Sequence, residues 1–258
     1  MIQEHLKNKV VIITGGTTGI GYAAASLFLQ KGAKVVIAGR RQKQGQIAEE
    51  QLRQISPPVH FIPTDVSKSK DVQHLISETV SIYGRVDIAF NNAGIEGGFA
   101  AIDETTEEEY TTLMDINLKG VWLACKYEIE QFKKQGSTGT IVNTSSWLSK
   151  GAFPGSSLYS ASKAALDGMI KALAIETGPF NIRINNVNPG YIHTPMFERI
   201  LPNEADRQPL KTHAPIGRFA SPEEVAEAVV WLSSPASSFV TGECLSVDGG
   251  LAIGGQRH

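Results

Sequence analysis

The chain has 258 residues, 41% hydrophobic and 19% charged, an ordinary globular balance with enough apolar material for a sizeable core. Its formal net charge of −2 argues against a general nucleic-acid binder, which needs a strong basic excess, and no apolar run approaches the length of a membrane span. The first residues, MIQEHLKNKVVIITGG, lack a secretory pattern, and Cys125 and Cys244 lie far apart without a C-x-x-C, so a cytoplasmic protein with reduced core cysteines is expected.

Strand and helix patterns alternate from the start. Lys9–Thr14 is a β-branched run expected as a buried strand, followed by a helix over Gly19–Lys31 that Gly32 closes. Lys34–Ala38 is the second strand, a polar helix runs through QKQGQIAEEQLRQI, and Val59–Pro63 is the third strand. The cycle repeats with helix Asp71–Tyr83, strand Val86–Phe90, a long helix Glu107–Lys134 and strand Thr140–Ser145. A helix holding Tyr159 follows, then strand Arg183–Asn188, a helix opened by Ser221-Pro222-Glu223-Glu224, and a last strand Glu243–Val247. Thr106 with Glu109 forms a capping box, so the acidic run DETTEEE marks a helix start rather than a binding patch. Such β-α-β alternation predicts one α/β domain over residues 1–258, a Rossmann-like doubly wound parallel sheet with helices on both faces. The segment 190–217 carries four prolines and is long for a connection inside a compact domain. It reads as a substrate lid, with a plain surface loop as the other reading.

In open α/β sheets ligands bind beyond the carboxyl ends of the strands, so the strand ends carry the functional argument. The first strand ends in Thr14-Gly15-Gly16-Thr17-Thr18-Gly19-Ile20-Gly21, where glycines let the backbone approach a pyrophosphate at the positive end of the next helix. The second ends in Gly39-Arg40-Arg41, with two guanidiniums where a carboxylate often grips a ribose 2′-hydroxyl. Later strands end near Asp65-Val66, in Asn91-Asn92-Ala93-Gly94, in Ser145-Ser146 and in Pro189-Gly190. On the helix that follows Ser146, Tyr159 and Lys163 stand one turn apart among small residues. A Tyr-x-x-x-Lys pair arises often by accident, and alone it decides little.

Together, TGGTTGIG, NNAG, Y-S-A-S-K and NPGYIHTP, in this order and spacing, resemble the short-chain dehydrogenases/reductases from Lys9 to about Gly250. Ser146 precedes Tyr159 by 13 residues, as that family's active-site serine does, and Asn117 matches its fourth active-site residue. The resemblance implies an NAD(P)-dependent oxidoreductase interconverting a ketone or aldehyde and an alcohol. It implies Tyr159 as general acid/base, Lys163 as the cation that stabilises phenolate and holds the nicotinamide ribose, Ser146 on the substrate oxygen, and Asn117 in a water relay. It assigns the cofactor to Gly15, Thr17, Thr18, Gly19, Ile20 and Gly21 at the pyrophosphate, Asp65 and Val66 at the adenine, and Asn92, Ala93 and Gly94 by the ribose. Tyr159 and Lys163, with Pro189, Gly190, Ile192 and Thr194, belong to the nicotinamide end. Arg40 and Arg41 predict a preference for NADP(H), with NAD(H) as the alternative, although Thr18 stands where NADP-preferring relatives often have a basic residue.

No metal is expected, since His193 and His213 lack ligand spacing, and no G-x-S-x-G exists for a serine hydrolase. Ile95, Phe99, Trp147, Leu148, Phe153, Met196 and Phe197 are candidate pocket residues and point to a hydrophobic carbonyl or alcohol substrate. A homotetramer is expected from the resemblance, with LAIGGQRH as an interface tail. The rival class is a nucleotide-binding regulatory protein that kept the fold and lost turnover.

Overall fold

A computed structural model describes residues 5–253, and in it the β-branched runs become seven parallel strands. These are β1 (Val10–Thr14), β2 (Lys34–Gly39), β3 (Val59–Pro63), β4 (Ile88–Asn91), β5 (Gly139–Thr144), β6 (Ile182–Pro189) and β7 (Cys244–Val247). They pair in the order β3-β2-β1-β4-β5-β6-β7. The order reverses between β1 and β4, so a crevice opens beyond their carboxyl ends, where such sheets take ligands.

The connections form α1 (Gly19–Gln30), α2 (Gln42–Arg53), α3 (Ser69–Tyr83), α4 (Glu107–Met114), α5 (Gly120–Lys134), α6 (Ser157–Thr177), α7 (Pro195–Ile200), α8 (Glu204–Arg207) and α9 (Pro222–Leu232). Side chains alternate along each strand, so Val11, Ile13, Val35 and Ile37 meet α1, α2 and α9. Ile12, Val36 and Ala38 meet α3, α5 and α6 on the other face. Both faces are apolar because both are covered, which is why these strands read as continuous hydrophobic runs. Phe28, Phe90 and Phe132 are fully buried, each burial worth about 1.5–3 kcal/mol.

Local signals act as the sequence implies. Gly32 leaves α1 with φ +82°, a left-handed turn that costs glycine nothing. The Thr106 hydroxyl accepts from the Glu109 N–H at 3.2 Å, and the Glu109 carboxylate accepts from the Thr106 N–H at 2.8 Å. Two expectations change. The helix expected over 107–134 is interrupted by a π-helical turn, Asp115–Lys119, between α4 and α5. Segment 190–217 is not plain loop: it folds into α7, α8 and a 3₁₀ turn, Gln208–His213. Cys125 is buried, Cys244 is partly buried, and both are free thiols. Among the described residues no helix is long and apolar enough to cross a membrane. Most of the tail expected at an interface, residues 254–258, lies outside the described residues.

Candidate active site

The carboxyl ends of the strands open into one cleft of about 980 Å³. At its β1 end the glycine turn is built for close approach. A Cβ at Gly21 would stand 2.3 Å from the Gly15 carbonyl oxygen, and one at Gly15, whose φ is +66°, would stand 2.9 Å from the Ala93 Cα. Thr18 begins α1 without a side-chain cap, so the first N–H groups of the helix are left for a ligand. Asn92 ties this turn to the next strands: its Nδ2 donates to the Gly15 carbonyl at 3.2 Å, and its Oδ1 accepts from the Thr144 hydroxyl at 3.2 Å. A nucleotide diphosphate fits such a cradle.

Around the rim, Thr17, Gly19, Ile20, Arg40, Arg41, Ala93, Gly94, Pro189 and Gly190 all face the cleft. Arg40 and Arg41 are exposed, and neither forms an ion pair among the described residues. Asp65 turns its carboxylate onto Ser67, accepting from that residue's N–H at 3.1 Å and its hydroxyl at 2.7 Å. Burial pushes the Asp65 carboxyl up, but the Ser67 bonds together with the Lys68 and Arg40 charges outweigh it and leave the group below the usual range. Val66 is buried against Gly120, where a Cβ would come within 2.9 Å of it. Ile192 bridges to Ala220, and the Thr194 hydroxyl caps α7 by accepting from the Phe197 N–H at 3.2 Å.

Tyr159, Lys163 and Ser146, the residues expected to carry the chemistry, line the same cleft. α6 presents Tyr159 and Lys163 on one face, and the Lys163 ammonium donates to the Thr144 carbonyl at 2.8 Å while lying 5.7 Å from the Tyr159 ring centre. Burial pushes the Tyr159 phenol up to about 12, with the Ser146 hydroxyl bond pulling against it and Glu96 adding to it. Burial pushes the Lys163 ammonium down to about 8, against the pull of Asp167. Ser146 is buried at the end of β5, and its Oγ accepts from the Leu148 N–H at 3.1 Å.

Two expected site residues do not line the cleft. Gly21 lies beneath the turn, and Asn117 is wholly buried one layer back. Asn117 sits in the π turn, its Oδ1 accepting from the Ile95 N–H at 2.8 Å and its Nδ2 donating to the Ile95 carbonyl at 2.9 Å. Gly94 faces this pair without a side chain, since a Cβ there would be 3.2 Å from Asn117 Oδ1 and 3.7 Å from Lys163 Nζ.

Sequence reasoning missed Asp167, Glu96 and Tyr191. Asp167 stands one turn past Lys163, so a Y-x-x-x-K-x-x-x-D ladder was the available signal. Its Oδ1 accepts from Asn186 and its Oδ2 from Asn188, both at 2.8 Å. Burial raises the Asp167 carboxyl, yet bonds from Ser149, Asn186, Asn188 and Ser145 more than offset it and leave the group an anion. From Asn186 a row of buried amides crosses the sheet. Asn143 donates to Asn186 at 3.0 Å, and Asn91 donates to Asn143 at 3.0 Å and to the Glu128 carboxyl at 3.0 Å.

Comparison with known proteins places the chain in a family. The family model described as enoyl-(acyl carrier protein) reductase matches residues 15–252. A 2,5-dichloro-2,5-cyclohexadiene-1,4-diol dehydrogenase of Sphingobium indicum is 37% identical over 96% of this chain and 98% of its own. A 3-oxoacyl-[acyl-carrier-protein] reductase of Thermotoga maritima is 38% identical over 96% of this chain and 100% of its own. The chain belongs to the short-chain dehydrogenase/reductase family. The crystal structure of levodione reductase superposes with a TM-score of 0.92 at 30% identity, covering 96% of this chain and 99% of that one. Short-chain dehydrogenases/reductases use NAD(P)(H), and this member is an oxidoreductase acting on alcohol and carbonyl groups.

Proposed function

We propose that this chain is an NADP(H)-preferring carbonyl reductase in which Tyr159 exchanges the proton and Lys163, Ser146 and Asn117 set its surroundings. One observation carries the reading: Tyr159 and Lys163 share a face of α6 at the inner end of the cleft, with the Lys163 ammonium fixed on the Thr144 carbonyl at 2.8 Å. The dinucleotide, held by the Gly15–Gly21 turn, Asp65–Val66, Asn92–Gly94 and Pro189–Thr194, supplies or takes up the hydride when bound. In the reductive direction the Tyr159 O–H gives its proton to the carbonyl oxygen, so one hydride and one proton convert the ketone to a secondary alcohol. Ser146 donates to that same oxygen and orients it. Lys163 holds positive charge beside the phenolate left behind, which is where the cation has most effect. Asn117 holds the Ile95 backbone and with it the loop that follows β4.

The substrate end is apolar, with Ile95, Leu148, Met196 and Phe197 on its walls, which supports a hydrophobic substrate. Segment 190–217 covers that end, in keeping with a lid. Tyr110, Trp122, Ile175 and Phe180 are exposed on or beside α4, α5 and α6, and they support a homotetramer built on these helices. Light scattering that gave the mass of one chain at micromolar concentration would remove that part of the proposal.

Tyr159→Phe tests the chemistry. It deletes the transferable proton and leaves the ring, so turnover should fall by a factor of about 10² to 10⁴ with dinucleotide binding retained. A phenylalanine variant that reduces ketones at the wild-type rate refutes the assignment.

A further inference from the structure

Beyond Tyr159 the cleft wall is a continuous arc of aromatic rings from the three segments that follow β4, β5 and β6. Phe99 lies 5.9 Å from Tyr159 and 5.2 Å from Phe153, Phe153 lies 6.3 Å from Trp147, and Trp147 lies 5.5 Å from Tyr191, centre to centre. In a core these rings would be wholly covered. Here Phe99, Trp147, Phe153 and Tyr191 are each only half-buried, and all of them line the cleft.

The arc is held by its backbone. Phe99 adopts φ +49°, a left-handed conformation that non-glycine residues rarely take. Gly155, with φ +84°, allows its segment to press on the Phe99 carbonyl oxygen, which a Cβ would approach to 2.5 Å. A Cβ at Gly151 would come within 2.7 Å of the Trp147 ring, so that ring lies flat on bare backbone. Both contacts fix ring positions around an opening rather than filling it.

The cations at this end are already engaged. Arg199 grips Glu96 with two bonds, Nε at 3.0 Å and a terminal nitrogen at 3.3 Å, and Lys163 is buried on the Thr144 carbonyl. Arg40, Arg41 and Asp65 lie at the far, β2–β3 end of the cleft. A second cavity of about 380 Å³ shares Ile95, Glu96, Phe99 and Tyr159 with the cleft and adds Glu108 and Glu109. An anionic substrate would meet carboxylates here, and the nearby Lys163 ammonium is buried and already bonded to a carbonyl.

We infer that the substrate is an uncharged ketone, or its secondary alcohol, whose carbonyl carbon belongs to or adjoins a carbocyclic ring packed on Phe99, Phe153, Trp147 and Tyr191. This rests on the reductase reading above and narrows it. Aromatic walls favour a flat, rigid partner because ring faces stack without freezing rotors, whereas an open chain must give up rotational freedom to lie along them.

The test compares kcat/KM for 2-tetralone, 2-decanone (equal carbon count, open chain) and 9-oxodecanoate (the same chain with a carboxylate), alongside quenching of Trp147 fluorescence by each. The ring ketone should lead 2-decanone by about tenfold, since one ring contact is worth a factor of about 2 to 10 and several act together, and 9-oxodecanoate should be poorest. The ring-over-chain ratio should fall toward one in Trp147→Ala and, as a second variant at an independent position, in Phe153→Ala. Quenching by 2-tetralone should vanish in Trp147→Phe. Equal or better turnover of 2-decanone or 9-oxodecanoate overturns the ring assignment and leaves the reductase reading standing. Quenching by 2-tetralone without turnover of any ketone by either dinucleotide upholds the ring site and sinks the reductase reading. Neither quenching nor turnover sinks both.

Discussion

Asn117 and Ile95 clasp each other through both ends of one side-chain amide, at 2.8 and 2.9 Å, across 22 residues of sequence. The clasp ties the π turn of the long helix to the loop that carries Ile95 and Glu96 past Tyr159. Extra turns of this kind inside helices often occur at functional sites, because they re-aim a side chain that regular geometry would point elsewhere. Asn117→Ala leaves a part-buried N–H and a part-buried carbonyl without partners, so stability should drop by about 1 kcal/mol in urea unfolding, with turnover falling alongside. A variant with wild-type stability would show that the clasp is incidental.

Lys163→Met separates charge from packing. Burial holds the Tyr159 phenol near 12, so it is protonated at neutral pH, as the proposed proton donor must be. Alcohol oxidation needs the phenolate, and removing the neighbouring cation raises the phenol further. The alkaline limb of the oxidation rate should therefore move to higher pH, and dinucleotide affinity should weaken. A pH profile and affinity both matching wild type would make Lys163 an ordinary buried lysine.

Arg40 and Arg41 stand exposed where the second strand ends, and Gly39 offers no carboxylate to a ribose. A charge-assisted bond from guanidinium to a 2′-phosphate is worth about 1.5 to 3 kcal/mol, or roughly a 10- to 150-fold preference. Arg40→Ala should erode a preference for NADP(H) by that order and leave NAD(H) kinetics nearly intact. Comparing kcat/KM for both cofactors decides it, and a wild-type preference for NAD(H) makes Arg40 a bystander.

Glu128 gives the fold a pH dependence of its own. Burial pushes its carboxyl up to about 8, with the Asn91 bond pulling the other way. A carboxyl raised in the folded state gives its full stability below its unfolded value, near 4.5, and loses it as pH climbs through about 8. Across that window the slope is of order 1.4 kcal/mol per pH unit. Glu128→Gln keeps the shape and cannot ionise, so its melting temperature should overtake that of wild type as pH rises from 5 to 9. Parallel curves for the two proteins would contradict this.

Much of the architecture was legible because local chemistry and global fold agree. The runs KVVIIT and KVVIA are apolar on both sides, and only a strand covered on both faces needs that. The strand-end motifs were legible because the parallel sheet brings every strand's carboxyl end to one rim. The π turn was not: the period of LMDINLKGVW is an unbroken helix, and the partner that Asn117 meets from that turn, Ile95, lies 22 residues away. The helix inside segment 190–217 was missed although Thr194-Pro195 is an N-cap followed by proline at the first position, because the four prolines weighed more heavily. The aromatic arc had no signature either, since Phe99, Trp147, Phe153 and Tyr191 become neighbours only after folding.

The row of amides through Asn91, Asn143 and Asn186 ends on Asp167 of α6 and on Glu128 of α5. It therefore runs crosswise to the backbone ladders and stitches β4, β5 and β6 to two helices from inside. A strand that loosened alone would strand at least one of these amides in a dry interior, which costs more than the backbone bonds it would release to water. Fraying at the cleft end of the sheet is thereby coupled to global opening. Hydrogen exchange at β4, β5 and β6 should follow one shared, slow rate, with α7 and α8 exchanging far faster. That pattern would describe a stiff anvil under the cleft with a softer segment above it.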